Sequence, residues 1–106
     1  MKAYIALLSI MILFSTALYP ATAASFSIFA YDSESNAPLQ DAYVTISQGG
    51  NLIDSGVTDA SGFFPAILVD GSEYRIRAEY YGKWDEKPNY VANSASSTQI
   101  NLYLHS

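Results

Sequence analysis

From Glu73 to Tyr80 the chain alternates without a break, Tyr74, Ile76, Ala78 and Tyr80 to one side and Glu73, Arg75, Arg77 and Glu79 to the other. A side-chain period of two belongs to an extended strand, and a strand with one apolar and one charged face separates a core from water. On a helix the same residues would scatter around the whole circumference. The period recurs along the chain after Ala24. Phe26, Ile28 and Ala30 oppose Ser27, Phe29 and Tyr31; Ala42, Val44 and Ile46 oppose Tyr43, Thr45 and Ser47; Ile100, Leu102 and Leu104 oppose Gln99, Asn101 and Tyr103. No window of about 11 residues or more carries a helical period.

Turn residues punctuate these runs. Asp32 to Pro38 is rich in Ser, Asn and Pro; Gln48-Gly49-Gly50-Asn51 supplies the positive-φ residues of a hairpin; Asp59-Ala60-Ser61-Gly62 and Asp70-Gly71-Ser72 read as tight turns. Between them lie strands over about Leu52 to Thr58 and Phe63 to Leu68, the latter with Pro65, whose missing donor predicts a sheet edge. Tyr81 to Pro88 reads as a polar crossing that holds the only tryptophan, Trp84, followed by a short strand at Tyr90 to Ala92 and a flexible connection over Asn93 to Ser97. About seven short strands with turn signals between them predict an all-β antiparallel sandwich or small barrel, and residues 24–106 suffice for one such domain.

Before that domain, Met1 and Lys2 give a positive start and Ala3 to Leu18 is apolar apart from Ser9, Ser15 and Thr16. Tyr19-Pro20 then ends any helix ahead of Ala21-Thr22-Ala23, whose small residues suit a signal peptidase. Residues 1–23 are therefore expected to be a secretory signal cut before Ala24, which makes the protein secreted or cell-surface. The alternative is a retained membrane anchor, against which about 16 helical residues, roughly 24 Å, fall short of a hydrocarbon core of about 30 Å.

The sequence contains no cysteine, so an exported domain of this size must rest on packing without disulfides. Four basic residues follow the signal (Arg75, Arg77, Lys83, Lys87) against ten acidic ones. That balance speaks against nucleic acid, which needs a basic patch to displace counterions. Catalytic chemistry has little to draw on. His105 is the only histidine, one residue from the end and expected to be frayed, so neither a zinc centre nor a Ser-His-Asp arrangement can be assembled around it. The acid pairs Asp32/Glu34 and Asp85/Glu86 read as solvated. Asp32, Glu34, Asp54, Asp59 and Asp70 fall in loop regions that could converge on calcium, but without a dense Asp-x-Asp spacing. The expectation is a protein that is no enzyme and carries no cofactor or metal.

One stretch carries a resemblance. Asp32, Pro38-Leu39, Ala42-Tyr43-Val44, Thr58-Asp59-Ala60-Ser61-Gly62-Phe63-Phe64, Gly71 with Tyr74, and Tyr81-Gly82 resemble the pattern of the carboxypeptidase regulatory-like domain. Asp41 departs from it, standing where glycine is common, and Ser72-Glu73 adds one residue between Gly71 and Tyr74. The resemblance covers roughly Phe26 to Gly82. It implies a transthyretin-like (prealbumin-like) Greek-key sandwich and a structural or interaction module that carries no catalytic groups. On the residues alone, Asp59 is expected to accept turn amides, Gly62 to take positive φ and Phe64 to re-enter the core.

What remains for function is the aromatic content of the faces opposite the core. Phe29, Tyr31, Tyr43, Phe63 and Tyr103 all fall there. Brought onto one sheet, they would make a platform for another extracellular protein, for a second copy of the chain, or for a polysaccharide.

Overall fold

The computed structural model describes residues 22–106, and most of the expected signal segment lies outside the described residues. Seven strands follow one another: β1 (Ala23–Asp32), β2 (Tyr43–Gln48), β3 (Asn51–Val57), β4 (Phe63–Val69), β5 (Glu73–Tyr80), β6 (Lys83–Val91) and β7 (Gln99–Leu104). They form two sheets, one ordered β4-β1-β7 and the other β3-β2-β5-β6. The all-β, two-sheet expectation holds.

The alternation read from the sequence decides which side chains lie between the sheets. Phe26, Ile28, Ala30, Val44, Ile46, Ile76, Ala78, Ile100, Leu102 and Leu104 are all buried, joined by Phe64, Ala66 and Leu68 from β4 and by Tyr74. Complete burial of an aliphatic side chain contributes about 1.5–3 kcal/mol, and this interior is the main source of stability in a chain without disulfides. Tyr74 keeps its ring inside because its hydroxyl accepts the Val69 amide at 2.9 Å.

Two expectations are corrected. The chain from Tyr81 to Pro88 is not a crossing: after a two-residue turn it runs as β6, hydrogen-bonded to β5 from Tyr80↔Lys83 to Glu73↔Val91. Its polar residues suit an edge strand whose side chains meet partners rather than the core. Arg75 and Arg77 reach Glu86 at 2.8 and 3.6 Å, and the Arg77 guanidinium lies 4.5 Å over Trp84. The second correction concerns direction. β1 and β7 pair in parallel, Ser27↔Gln99 to Asp32↔Leu104, whereas antiparallel pairing was expected throughout. Each connection reverses the chain, and six reversals separate the first strand from the seventh. Those two must run the same way wherever they meet.

The two flanks of the sandwich differ. On the β6–β7 side the sheets are tied together. His105 exchanges backbone hydrogen bonds of 2.9 and 3.1 Å with Trp84, and Asp85 accepts the Tyr103 amide at 2.9 Å. The backbone at His105 is thus held in place rather than frayed, although its side chain is exposed. On the other flank β3 and β4 stand apart around an apolar groove of about 700 Å³. Both edges there are guarded against added strands. Pro65 removes a donor from β4, and in β3 a bulge opposite Ile46/Ser47 breaks the register while Asp54, paired with the buried Ile46, sets a carboxylate on the inward side.

Candidate functional site

The turn motif that carries the resemblance packs three segments together. Asp59 accepts the amides of Ser61 and Phe63 at 2.8 and 3.0 Å, and Gly62 closes the turn with its amide on the Asp59 carbonyl at 2.9 Å. Gly62 takes a φ of 76°. Phe64 enters the core, and beside it Gly56 has no room for a side chain, because a Cβ there would come within 2.5 Å of the Phe64 ring. Thr58, buried, bridges two backbone groups: its hydroxyl accepts the Ala42 amide at 2.9 Å and donates to the Leu39 carbonyl. Pro38 bridges to Tyr31, and Asp32 caps the turn between them by accepting the Glu34 and Ser35 amides. Gly71 turns with φ at 87° and donates to the Ala92 carbonyl. All of these residues act within the fold.

Four of the five carboxylates weighed for calcium go to separate protein donors. Asp32 holds Lys83 at 2.6 Å, Asp54 takes the Ser55 amide, Asp59 its own turn, and Asp70 both the amide and the hydroxyl of Ser94 at 2.8 and 2.6 Å. Among the described residues no three His, Asp or Glu side chains gather where they could hold a metal ion. The Asp70–Ser94 contact anchors the connection that the sequence left as flexible; the partners lie 24 residues apart and no local signal joins them.

These bonds set the acid limb of stability. Asp32 lies below the ordinary 3.8 chiefly through the hydrogen bond from Lys83, and Asp70 through those from Ser94. A carboxylate depressed in the fold contributes stability above its unfolded value and loses it as pH falls through the lowered folded value. Unfolding in urea from about pH 5 to about pH 2 is expected to show a falling midpoint, and Asp70→Asn to flatten that slope. An unchanged slope would count against the role of Asp70. Lys83 is raised by Asp32 and acts in the opposite sense, its contribution present below 10.5 and lost as pH rises through the folded value.

The aromatic residues divide between the sheets. On the outer face of the β4-β1-β7 sheet, Phe63, Phe29, Tyr31 and Tyr103 form one continuous row with centroid separations of 5.5, 6.2 and 5.4 Å. The register dictates it: Phe29 pairs with Phe63 across β1–β4, and Tyr31 with Tyr103 across β1–β7. Tyr43 does not belong to the row. It lies on β2, in the other sheet, opposite Glu79 and Val57. Within the row the spacings are those of offset-stacked and tilted rings, so the rings lean on one another and present edges as well as faces. Phe63, Phe29 and Tyr31 are half-buried by this contact, and Tyr103, 44% exposed, is the open end.

Beyond Tyr103 a groove of about 450 Å³ runs between β6 and β7, lined by Tyr90, Lys87, Gln99, Asn101 and the hydroxyls of Ser96 and Ser97. No sequence signal had pointed to it, because its walls come from two strands that the sequence does not show to be adjacent. Compared with protein-family models and with curated proteins, the chain matches none.

Proposed function

We propose that this chain is an exported, non-enzymatic β-sandwich module that docks on another protein in adhesion or surface assembly, using the aromatic row on its three-stranded sheet. The observation that carries this reading is the contact of four aromatic rings in one row on the outer face of the three-stranded sheet. The strand edges are tied, as β7 is by Asp85 and His105, or blunted by Pro65, Asp54 and a bulge, which disfavours partner strands there. The row Phe63–Phe29–Tyr31–Tyr103 has no such guard, and its interlocked rings form a firm ridge that a protein surface fits better than a flat sugar does. The domain type we propose is the carboxypeptidase regulatory-like, transthyretin-like one. The linked geometry of Thr58, Asp59, Gly62 and Phe64 supports it.

Tyr103→Ala removes the exposed end of the ridge and is expected to change stability by less than about 1 kcal/mol while weakening association about tenfold or more. Sedimentation of the purified chain checks association with itself, and a photo-crosslinker placed at residue 103 in the producing cell checks a foreign partner. A chain that stays monomeric and forms no adduct from position 103 would end this reading. The second reading is polysaccharide binding, favoured by the amide- and hydroxyl-lined groove beside Tyr103. Retardation in a polysaccharide-containing gel, lost in Asn101→Ala, would select it instead.

A further inference from the structure

The turn between β5 and β6 contains the least explicable residue of the fold. Tyr81 and Gly82 are its two central residues, with φ of 42° and 81°, the paired positive values of a type I′ hairpin. Gly82 fits that geometry, and Asn or Gly is the residue that fits the first position. A bulky aromatic there is a genuine outlier. Burial does not offset the strain, since Tyr81 is 92% exposed. Its ring stands edge-on to Tyr80 at 4.7 Å, and with Tyr43 and Gly82 these rings border a notch of about 310 Å³ that also takes in Asp41 and Glu79.

We propose that this notch receives a basic side chain, arginine foremost, from a peptide or protein partner. Tyrosine faces attract a cation through their quadrupole, and the planar guanidinium suits stacking on a ring. The charge around the notch is complementary: Asp41 lies in its wall beside Glu79, whose carboxylate Arg77 shares, and the chain as a whole carries a formal charge of −5. Of the hairpin's own cations, Lys83 is held by Asp32 at 2.6 Å and Arg77 reaches Glu79 at 2.7 Å, so an incoming arginine meets the tyrosine rings and Asp41. Arg77 over Trp84 shows the same contact made within the molecule, on the same β5–β6 hairpin. The site is separate from the aromatic row, and neither depends on the other.

The test titrates the full exported protein at low salt with the tetrapeptide acetyl-Gly-Arg-Arg-Gly-amide, following tyrosine ring signals by NMR. The control is the same peptide with citrulline, which keeps the shape and loses the charge. Saturable shifts of Tyr81 and Tyr43, with Tyr103 unmoved, are expected for the arginine peptide only. Tyr81→Asn is expected to weaken binding about fivefold or more and, by relieving the turn, to raise Tm by about 2–6 °C. Failure to shift Tyr81 and Tyr43, equal shifts with citrulline, undiminished affinity in Tyr81→Asn, or a lowered Tm in that variant would each overturn the proposal. A null result here with intact association through Tyr103 would leave the aromatic-row reading standing.

Discussion

Gly62→Ala is expected to cost about 3 kcal/mol or more of folding stability, which for a domain of this size lowers Tm by roughly 10 °C or more. Two effects combine. At a φ of 76° an L-residue is strained on its own account. The added Cβ would also stand 2.6 Å from the Ala30 carbonyl oxygen and 3.2 Å from the Leu39 nitrogen. Neither neighbour can give way freely, because that carbonyl already accepts the Leu39 amide at 2.9 Å while the Ala30 amide donates to the Gly62 carbonyl at 2.9 Å. Chemical denaturation gives the measurement. A loss below about 1 kcal/mol would mean that the turn re-forms without the glycine.

Thr58→Val should cost about 2–4 kcal/mol although the side chain keeps its shape. The hydroxyl serves the Ala42 amide and the Leu39 carbonyl at once, and a methyl group in its place leaves the buried Ala42 amide and the part-buried Leu39 carbonyl without that partner. Ala42 has no access to solvent that could replace the bond. Thr58→Ser keeps the hydroxyl and is expected to lose less than about 1 kcal/mol. A valine variant as stable as the serine variant would show that the two backbone groups find other partners.

Both substitutions fall in the segment whose pattern is legible in the sequence, and the reason is local. Asp59, the turn amides and Gly62 are within four residues of one another, so the chemistry of the turn can be read from adjacent letters. The faces of β1, β2, β5 and β7 were readable for a related reason: when one side of a strand is buried, composition alternates, as Tyr74, Ile76 and Ala78 do against Arg75 and Arg77. β6 escaped because it closes a flank. Lys83 and Asp85 serve Asp32 and Tyr103 while Glu86 meets two arginines, so polar residues occupy both parities and no alternation survives. Its hairpin also lacks the Asn-Gly signature, with Tyr81 in the strained position.

The aromatic row shows where reading by parity stops. A period of two places Tyr43 and Tyr31 alike on outward faces, but it does not say which sheet each strand joins. That assignment depends on which strands lie side by side, β1 between β4 and β7 and β2 between β3 and β5. Four of the five outward aromatics meet because their strands are neighbours, and Tyr43 instead borders a notch shared with Tyr80 and Tyr81.

The shared direction of β1 and β7 has a mechanical side. Residue 24 and residue 104 sit at opposite poles of the sandwich, so tension applied between them runs along both strands at once. The hydrogen bonds from Ser27↔Gln99 to Asp32↔Leu104 then carry the load side by side and must slide together, where a hairpin pulled at its open end would unzip one rung at a time. A module gripped at its two poles would resist extension through its central ladder, with a lifetime under load set by the barrier to shearing rather than by its equilibrium stability.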